Sequence, residues 1–126
     1  MSNGVTLDAG PLIQLDRNDR RVAVLLARAD QNGDRVIVPG SALAQAIRDP
    51  ARQARLARLL RQPLTEVVAL DRVDATGVGR LLAASGTSDI ADAHVVVCAR
   101  RAGQRVVTSD ADDLLRLDST LEVIVV

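Results

Sequence analysis

Three places in the sequence carry acids that can do chemistry. Asp8 directly follows the apolar Val5-Thr6-Leu7. Asp89 and Asp92 stand three apart at the head of a very apolar run. Asp110, with Asp112 and Asp113 close behind, follows Arg105-Val106-Val107-Thr108. Residues three apart share a helix face, so Asp89 and Asp92 project together. Any one of these acids has an ordinary alternative: Asp is a preferred helix cap and turn former. Asp92 is the exception, because it lies inside the run among Ile90, Ala91, Ala93 and Val95, where an acid without a partner is costly. Crowded carboxylates repel unless a cation neutralises them. A set made only of carboxylate oxygens suits Mg²⁺ or Mn²⁺ and not zinc.

Composition narrows the chemistry further. The chain has 126 residues, one domain's worth. All sixteen basic residues are Arg, which excludes a phosphate-loop lysine or a Schiff-base lysine. There is no Phe, Trp or Tyr, so the core is built from Leu, Val, Ile and Ala, and base stacking on aromatic platforms is excluded. Fourteen Asp against two Glu offset those arginines to zero net charge, so any affinity for a polyanion comes from local patches. The single cysteine, Cys98, rules out an intramolecular disulfide or a multi-cysteine zinc cluster. No apolar run is long enough to span a membrane, and Met1 to Leu7 has no secretory pattern; the cytoplasm is the expected location.

The elements that must position these acids follow from apolar periodicity and punctuation. Strands are expected at Val5-Thr6-Leu7, Arg35–Val38, Val67–Leu70, Arg105–Thr108 and Leu121–Val126. Between them the pattern predicts a helix over 12–30 with Leu15, Val22, Leu25, Leu26 and Ala29 on one stripe. Further helices are expected from Pro39 to Ile47, from Ala51 to Arg61, from Asp71 or Asp74 to Ala84, from Ser88 or Asp89 to Gly103, and a short one through Leu117. Strands apolar at nearly every position, alternating with helices, imply a three-layer α/β/α sandwich with a mainly parallel sheet, over 1–126 as a single domain. In such sheets working residues lie beyond the carboxyl ends of the strands, where strand order reverses. The acids named above all fall at such ends or at helix starts.

Four blocks in this order resemble the PIN-domain nucleases. Leu7-Asp8-Ala9-Gly10-Pro11-Leu12-Ile13 is similar to the family's opening strand and turn, and Val38-Pro39 leading to Ala42-Leu43-Ala44-Gln45 to its second block. Gly86-Thr87-Ser88-Asp89-Ile90-Ala91-Asp92-Ala93-His94 resembles the third, and Val107-Thr108-Ser109-Asp110-Ala111-Asp112-Asp113-Leu114 the fourth. The resemblance covers essentially the whole chain, whose length is similar to that of VapC toxins, the ribonucleases of bacterial VapBC toxin–antitoxin modules. It implies Asp8, Asp92 and Asp110 as ligands of Mg²⁺ or Mn²⁺, Asp113 as an auxiliary catalytic acid, and Asp89 as a neighbour in the pocket. It further implies RNA as substrate, 5′-phosphate and 3′-hydroxyl products, an antitoxin partner and a homodimer. Gln45 stands where the family usually has Glu; its amide oxygen can coordinate but brings no charge and cannot act as a base.

Other residues have weaker claims. Ser109 and Thr87 can offer hydroxyls to substrate or to the acids, although turn bonding and capping are their commoner jobs. Arg48, Arg52, Arg55, Arg58 and Arg61 form a basic band that is either a solvated face or an RNA contact. His94 and Cys98 read as core packing. Besides the metal-dependent endoribonuclease, two other readings stand: a PIN-fold protein with weak or no nuclease activity that acts by binding RNA or protein, favoured by Gln45, and a receiver-like or phosphatase-like domain with Asp8 as nucleophile. The missing lysine and the lack of an acid two residues after Asp8 count against the latter.

Overall fold

The computed structural model describes residues 4–126; Met1 to Asn3, on which part of the leader reading rests, lie outside the described residues. Five strands form one sheet: β1 (Gly4–Leu7), β2 (Arg35–Pro39), β3 (Thr65–Val68), β4 (Arg105–Thr108) and β5 (Val123–Val125). Seven α-helices connect and cover them: α1 (Ala9–Asp16), α2 (Arg20–Gln31), α3 (Gly40–Ala46), α4 (Ala54–Leu60), α5 (Arg72–Ser85), α6 (Ile90–Ala102) and α7 (Ala111–Leu117). The strand order is β3-β2-β1-β4-β5 and every pairing is parallel, which gives the expected α/β/α sandwich. The inner strands β1, β2 and β4 are buried almost throughout, as a sheet covered on both faces requires. The edge strands β3 and β5 are only partly covered. Among the described residues no helix is long and apolar enough to cross a membrane.

The chain builds β1, β2 and β3 outward in one direction, then returns through α5 and α6 to place β4 on the other side of β1. Strand order therefore reverses between β1 and β4. The carboxyl ends of those two strands open the crevice where this architecture puts its ligands.

Helix α6 is the central element. It packs against β1, β2, β4, α3, α5 and α7. Seven of its residues are buried, including Val95, Val96 and Ala99 in the main apolar core.

Three local expectations need correction. The helix expected over 12–30 is two helices. Asn18 takes a left-handed conformation (φ 63°), and Asp19 then caps α2 by accepting from the Val22 amide at 3.1 Å. The first of these helices also starts earlier, at Ala9, with Pro11 tolerated in the first turn where an amide has no helical partner. The helix expected from Ala51 to Arg61 is a single 3-10 turn (Pro50–Arg52) followed by α4. Gln53 holds the break: its amide donates to the Ala46 carbonyl at 2.9 Å and to Asp16 at 3.3 Å, and its oxygen accepts from the amides of Arg48 and Asp49. Finally, β3 lies two residues earlier than its most apolar stretch, because as an edge strand it needs no apolar residue at every position.

Candidate active site

Three acids of the cluster each cap a helix, and the cap fixes their direction. Asp8 ends β1 and caps α1, its Oδ1 accepting from the Ala9 amide at 2.8 Å. Asp89 caps α6 through the Asp92 amide at 2.9 Å. Asp110 caps α7 through the Asp112 amide at 3.1 Å. The capping role and the site role are therefore not alternatives: one oxygen of each carboxylate is used locally and holds the rotamer. The helix N-termini behind the three acids carry partial positive charge, which favours negative groups there.

Asp8 is the most constrained of the set. Its amide donates to the Val107 carbonyl at 3.0 Å, tying it to β4 just beyond the last paired residues. Its Oδ2 faces the hydroxyl of Thr108, fully buried, at 2.8 Å. The same Oγ1 lies 3.0 Å from the Asp110 carbonyl and accepts from the Asp110 amide at 3.1 Å. A hydroxyl has one proton, so it donates to Asp8 or to the Asp110 carbonyl at any moment. Thr108 thereby fixes the β1 acid relative to the β4 acid. The sequence offers one signal for this role, a hydroxyl ending an otherwise apolar inner strand.

Charge couples the acids. Burial pushes the Asp8 carboxyl up, the Thr108 and Ala9 bonds oppose that, and Asp89 and Asp110 push it up further. Asp92, half-buried on the first turn of α6, is pushed up to about 7 by burial together with Asp8, Asp89, Asp113 and Asp110. The other four acids thus lie within effective Coulomb range of Asp92. Asp113 has Arg116 at a distant 3.9 Å; among the described residues Asp8, Asp89, Asp92 and Asp110 have no ion-pair partner. Four unpaired acids and a carboxyl held near neutrality are what a divalent cation with oxygen preference would relieve, so the donor set fits Mg²⁺ or Mn²⁺.

Ser109 is exposed beside the cluster and fills the space a side chain would take at Gly10: a Cβ there would stand 2.1 Å from its Oγ. Gly10 thus lets the β4 loop close over the start of α1. The remaining candidates lie on and around α3 and α4. Gln45 is exposed near the end of α3 and lines a hollow with Ile13, Asp16, Arg48 and Arg52. The arginine band divides at the Gln53 break. Arg48 donates to the carbonyls of Ala44 and Ile47, and Arg52 pairs with Asp49 at 3.5 Å. Arg55 and Arg58 line a separate groove against α2.

Behind α6, away from the acids, lies a second polar group. His94 is fully buried, with Ser41 Oγ at 3.1 Å from Nδ1 and Asp74 Oδ2 at 2.9 Å from Nε2. Arg101 holds the other Asp74 oxygen. Burial opposes ionisation of Asp74, but the bonds from Arg101 and His94 outweigh it and hold the carboxyl below its ordinary range. Cys98 is buried next to this group, its thiol pushed up to about 12 by burial and by Asp74.

A parallel sheet with a capped carboxylate cluster at its switch point is an arrangement that a bound divalent cation would stabilise. The PIN domain family model matches residues 5–119, and the chain belongs to that family. No curated protein sequence matches the chain significantly. Among solved structures it is similar to VapBC2 from Rickettsia felis, solved bound to a DNA fragment from its promoter, with a TM-score of 0.69 and 13% identity over 97% of this chain and 98% of that one. It is also similar to FitAcB from Neisseria gonorrhoeae, with a TM-score of 0.64 and 17% identity over 95% and 96% of the two chains. At these identities the likeness is one of fold.

Proposed function

We propose that this chain is a divalent-metal-dependent endoribonuclease, the toxin of a toxin–antitoxin pair. The observation that carries the reading is the cluster of Asp8, Asp89, Asp92, Asp110 and Asp113 at the switch point, with Asp92 pushed up to about 7 by burial and then by its neighbours. Asp8, Asp92 and Asp110 would hold Mg²⁺ or Mn²⁺, with Asp113 and Asp89 beside them. When bound, the ion neutralises the scissile phosphate and acidifies an attacking water. The protein supplies the rest. Helix caps and Thr108 keep the carboxylates oriented before substrate arrives, so little reorganisation remains for the chemical step. Asp113, exposed on the first turn of α7, is free to take a proton from water at the rim of the cluster. Ser109 presents a hydroxyl to the substrate side. Arg48, Arg52 and Arg55 are exposed and contact the RNA backbone.

The test is cleavage of single-stranded RNA by the purified protein with Mg²⁺ or Mn²⁺. Asp8→Asn, Asp92→Asn and Asp110→Asn each abolish cleavage while the protein stays folded, and excess chelator does the same. Cleavage that survives chelation or all three substitutions overturns the assignment. A second reading, a PIN-fold protein that binds RNA or protein without cutting, is favoured by Gln45, whose amide adds no charge to the site. Tight RNA binding in Mg²⁺ with no cleavage selects it.

Two surfaces support the partners proposed here. The groove between α2 and α4, lined by Leu15, Leu26, Leu59 and Leu64 with Arg55 and Arg58 balanced by Asp30 and Asp34, suits an antitoxin segment with an apolar face. Val67, Leu70 and Val73 are exposed along one stretch of chain and suit coverage by a second copy in a homodimer.

A further inference from the structure

The buried group behind α6 has the donors of a second metal site. Asp74, His94 and Cys98 are each at most 2% exposed, and one ligand atom from each lies within 4.8 Å of the others. His94 and Cys98 are one turn apart and share a face of α6. Asp74 meets them from α5, which packs along α6. His94 and Asp92 are two residues apart, so they leave the helix on nearly opposite sides and the two clusters are separate. The donor types also differ. A nitrogen, a sulfur and one carboxylate suit zinc, whereas the acid cluster offers oxygen alone.

We infer that Asp74, His94 and Cys98 form a zinc site, binding through Oδ2, Nε2 and Sγ. The supporting contacts of such a site are already in place. Ser41 Oγ stands 3.1 Å from His94 Nδ1, where it accepts the imidazole proton once Nε2 turns to the metal. Arg101 grips the Asp74 oxygen that the ion does not need. The Nε2 to Oδ2 separation of 2.9 Å must open only to about 3.3 Å, the edge of a tetrahedron with bonds of about 2.0 Å. The proton balance is simple: the imidazole proton moves from Nε2 to Nδ1 and the thiol releases one proton to solvent. The zinc, thiolate and carboxylate charges then sum to zero, and the one remaining charge of the group is that of Arg101, whose side chain is half exposed to solvent.

Cobalt(II) is the probe, because a thiolate ligand gives it a charge-transfer band that an all-oxygen site cannot. The full chain is stripped of metal, kept reduced with a phosphine, and saturated with Mg²⁺ so that the acid cluster is already satisfied. Cobalt is added to the folded protein and, because the site is buried, also during refolding from urea. One equivalent is expected to give the thiolate band with the intense visible bands of tetrahedral cobalt, and zinc is expected to displace it one for one. Zinc at about a hundredfold above its dissociation constant is expected to raise the melting temperature by roughly 10 °C. Cys98→Ser, close in shape, is expected to lose the thiolate band, and Asp8→Asn to keep it. Asp74→Asn and Cys98→Ala are read in the same way where Cys98→Ser folds poorly. A wild-type protein with no thiolate band by either route, or a band that persists in both Cys98 variants, overturns the site and leaves the trio as hydrogen-bonded packing. The readout is metal binding and not cleavage, so it succeeds or fails independently of the nuclease reading.

Discussion

Removing the charge of Asp92 is expected to stabilise the metal-free protein and to abolish its response to Mg²⁺. The Asp92 carboxyl is pushed up to about 7 from an ordinary value of 3.8, first by burial and then by Asp8, Asp89, Asp113 and Asp110. Between those two values the folded state binds the proton more tightly than the unfolded chain does. Stability therefore falls as pH rises through the window, the reverse of the usual effect of a salt-bridged acid. At about 1.36 kcal/mol per pH unit the full separation corresponds to roughly 4 kcal/mol. Asp92 is only half-buried, and solvent screening reduces the net effect to about 2 kcal/mol. Asp92→Asn carries no charge at any pH, so in chelator at pH 8 it is expected to melt roughly 8 °C above wild type. At pH 3 and below, where the wild-type carboxyl is largely protonated in both states, the two proteins are expected to converge. Added Mg²⁺ reverses the order: wild type gains stability by mass action, and the variant gains little. Melting curves from pH 3 to 9, in chelator and in Mg²⁺, measure all of this. A gap between the proteins that does not change with pH refutes the argument, because it means that the carboxylates are too far apart or too well solvated to repel.

Three further outcomes follow from named contacts. Thr108→Val removes the hydroxyl that joins Asp8 to the β4 loop, costs about 1–3 kcal/mol in denaturant unfolding and lowers cleavage at least tenfold, while Thr108→Ser keeps both near wild type. Gln53→Ala strips four partners from one buried amide, and urea unfolding is expected to show a loss of about 2–3 kcal/mol; unchanged stability shows that the α3–α4 break holds without it. Gln45→Glu adds a charge where the family usually carries one, so the protein is expected to melt lower in chelator, gain more from Mg²⁺ and cleave faster. A variant matching wild type in all three places residue 45 outside the site and refutes the alignment of the second block.

What the sequence made legible, and what it hid, divides along physical lines. Parallel strands buried on both faces announce themselves as unbroken apolar runs, so β1, β2 and β4 were readable almost to the residue. An edge strand carries a weaker imprint, and β3 was placed too late in the chain for that reason. Asp92 was legible because an acid amid apolar neighbours violates helix patterning without local compensation, whereas Asp8, Asp89 and Asp110 obey capping rules and so look ordinary one at a time. Their grouping depends on strand order, which places β4 beside β1 although about a hundred residues separate them; no local pattern encodes that. Asp74 marks the opposite limit. Next to Asp71 it reads as a spare cap, and only the packing of α5 on α6 shows that it is buried against His94, Cys98 and Arg101. Both polar clusters therefore hang from one helix. The acids at the start of α6 meet the strand ends, and the donors one turn further on meet α5. A change that shifts α6 along its axis is expected to disturb both at once, while a change at either cluster alone leaves the other intact.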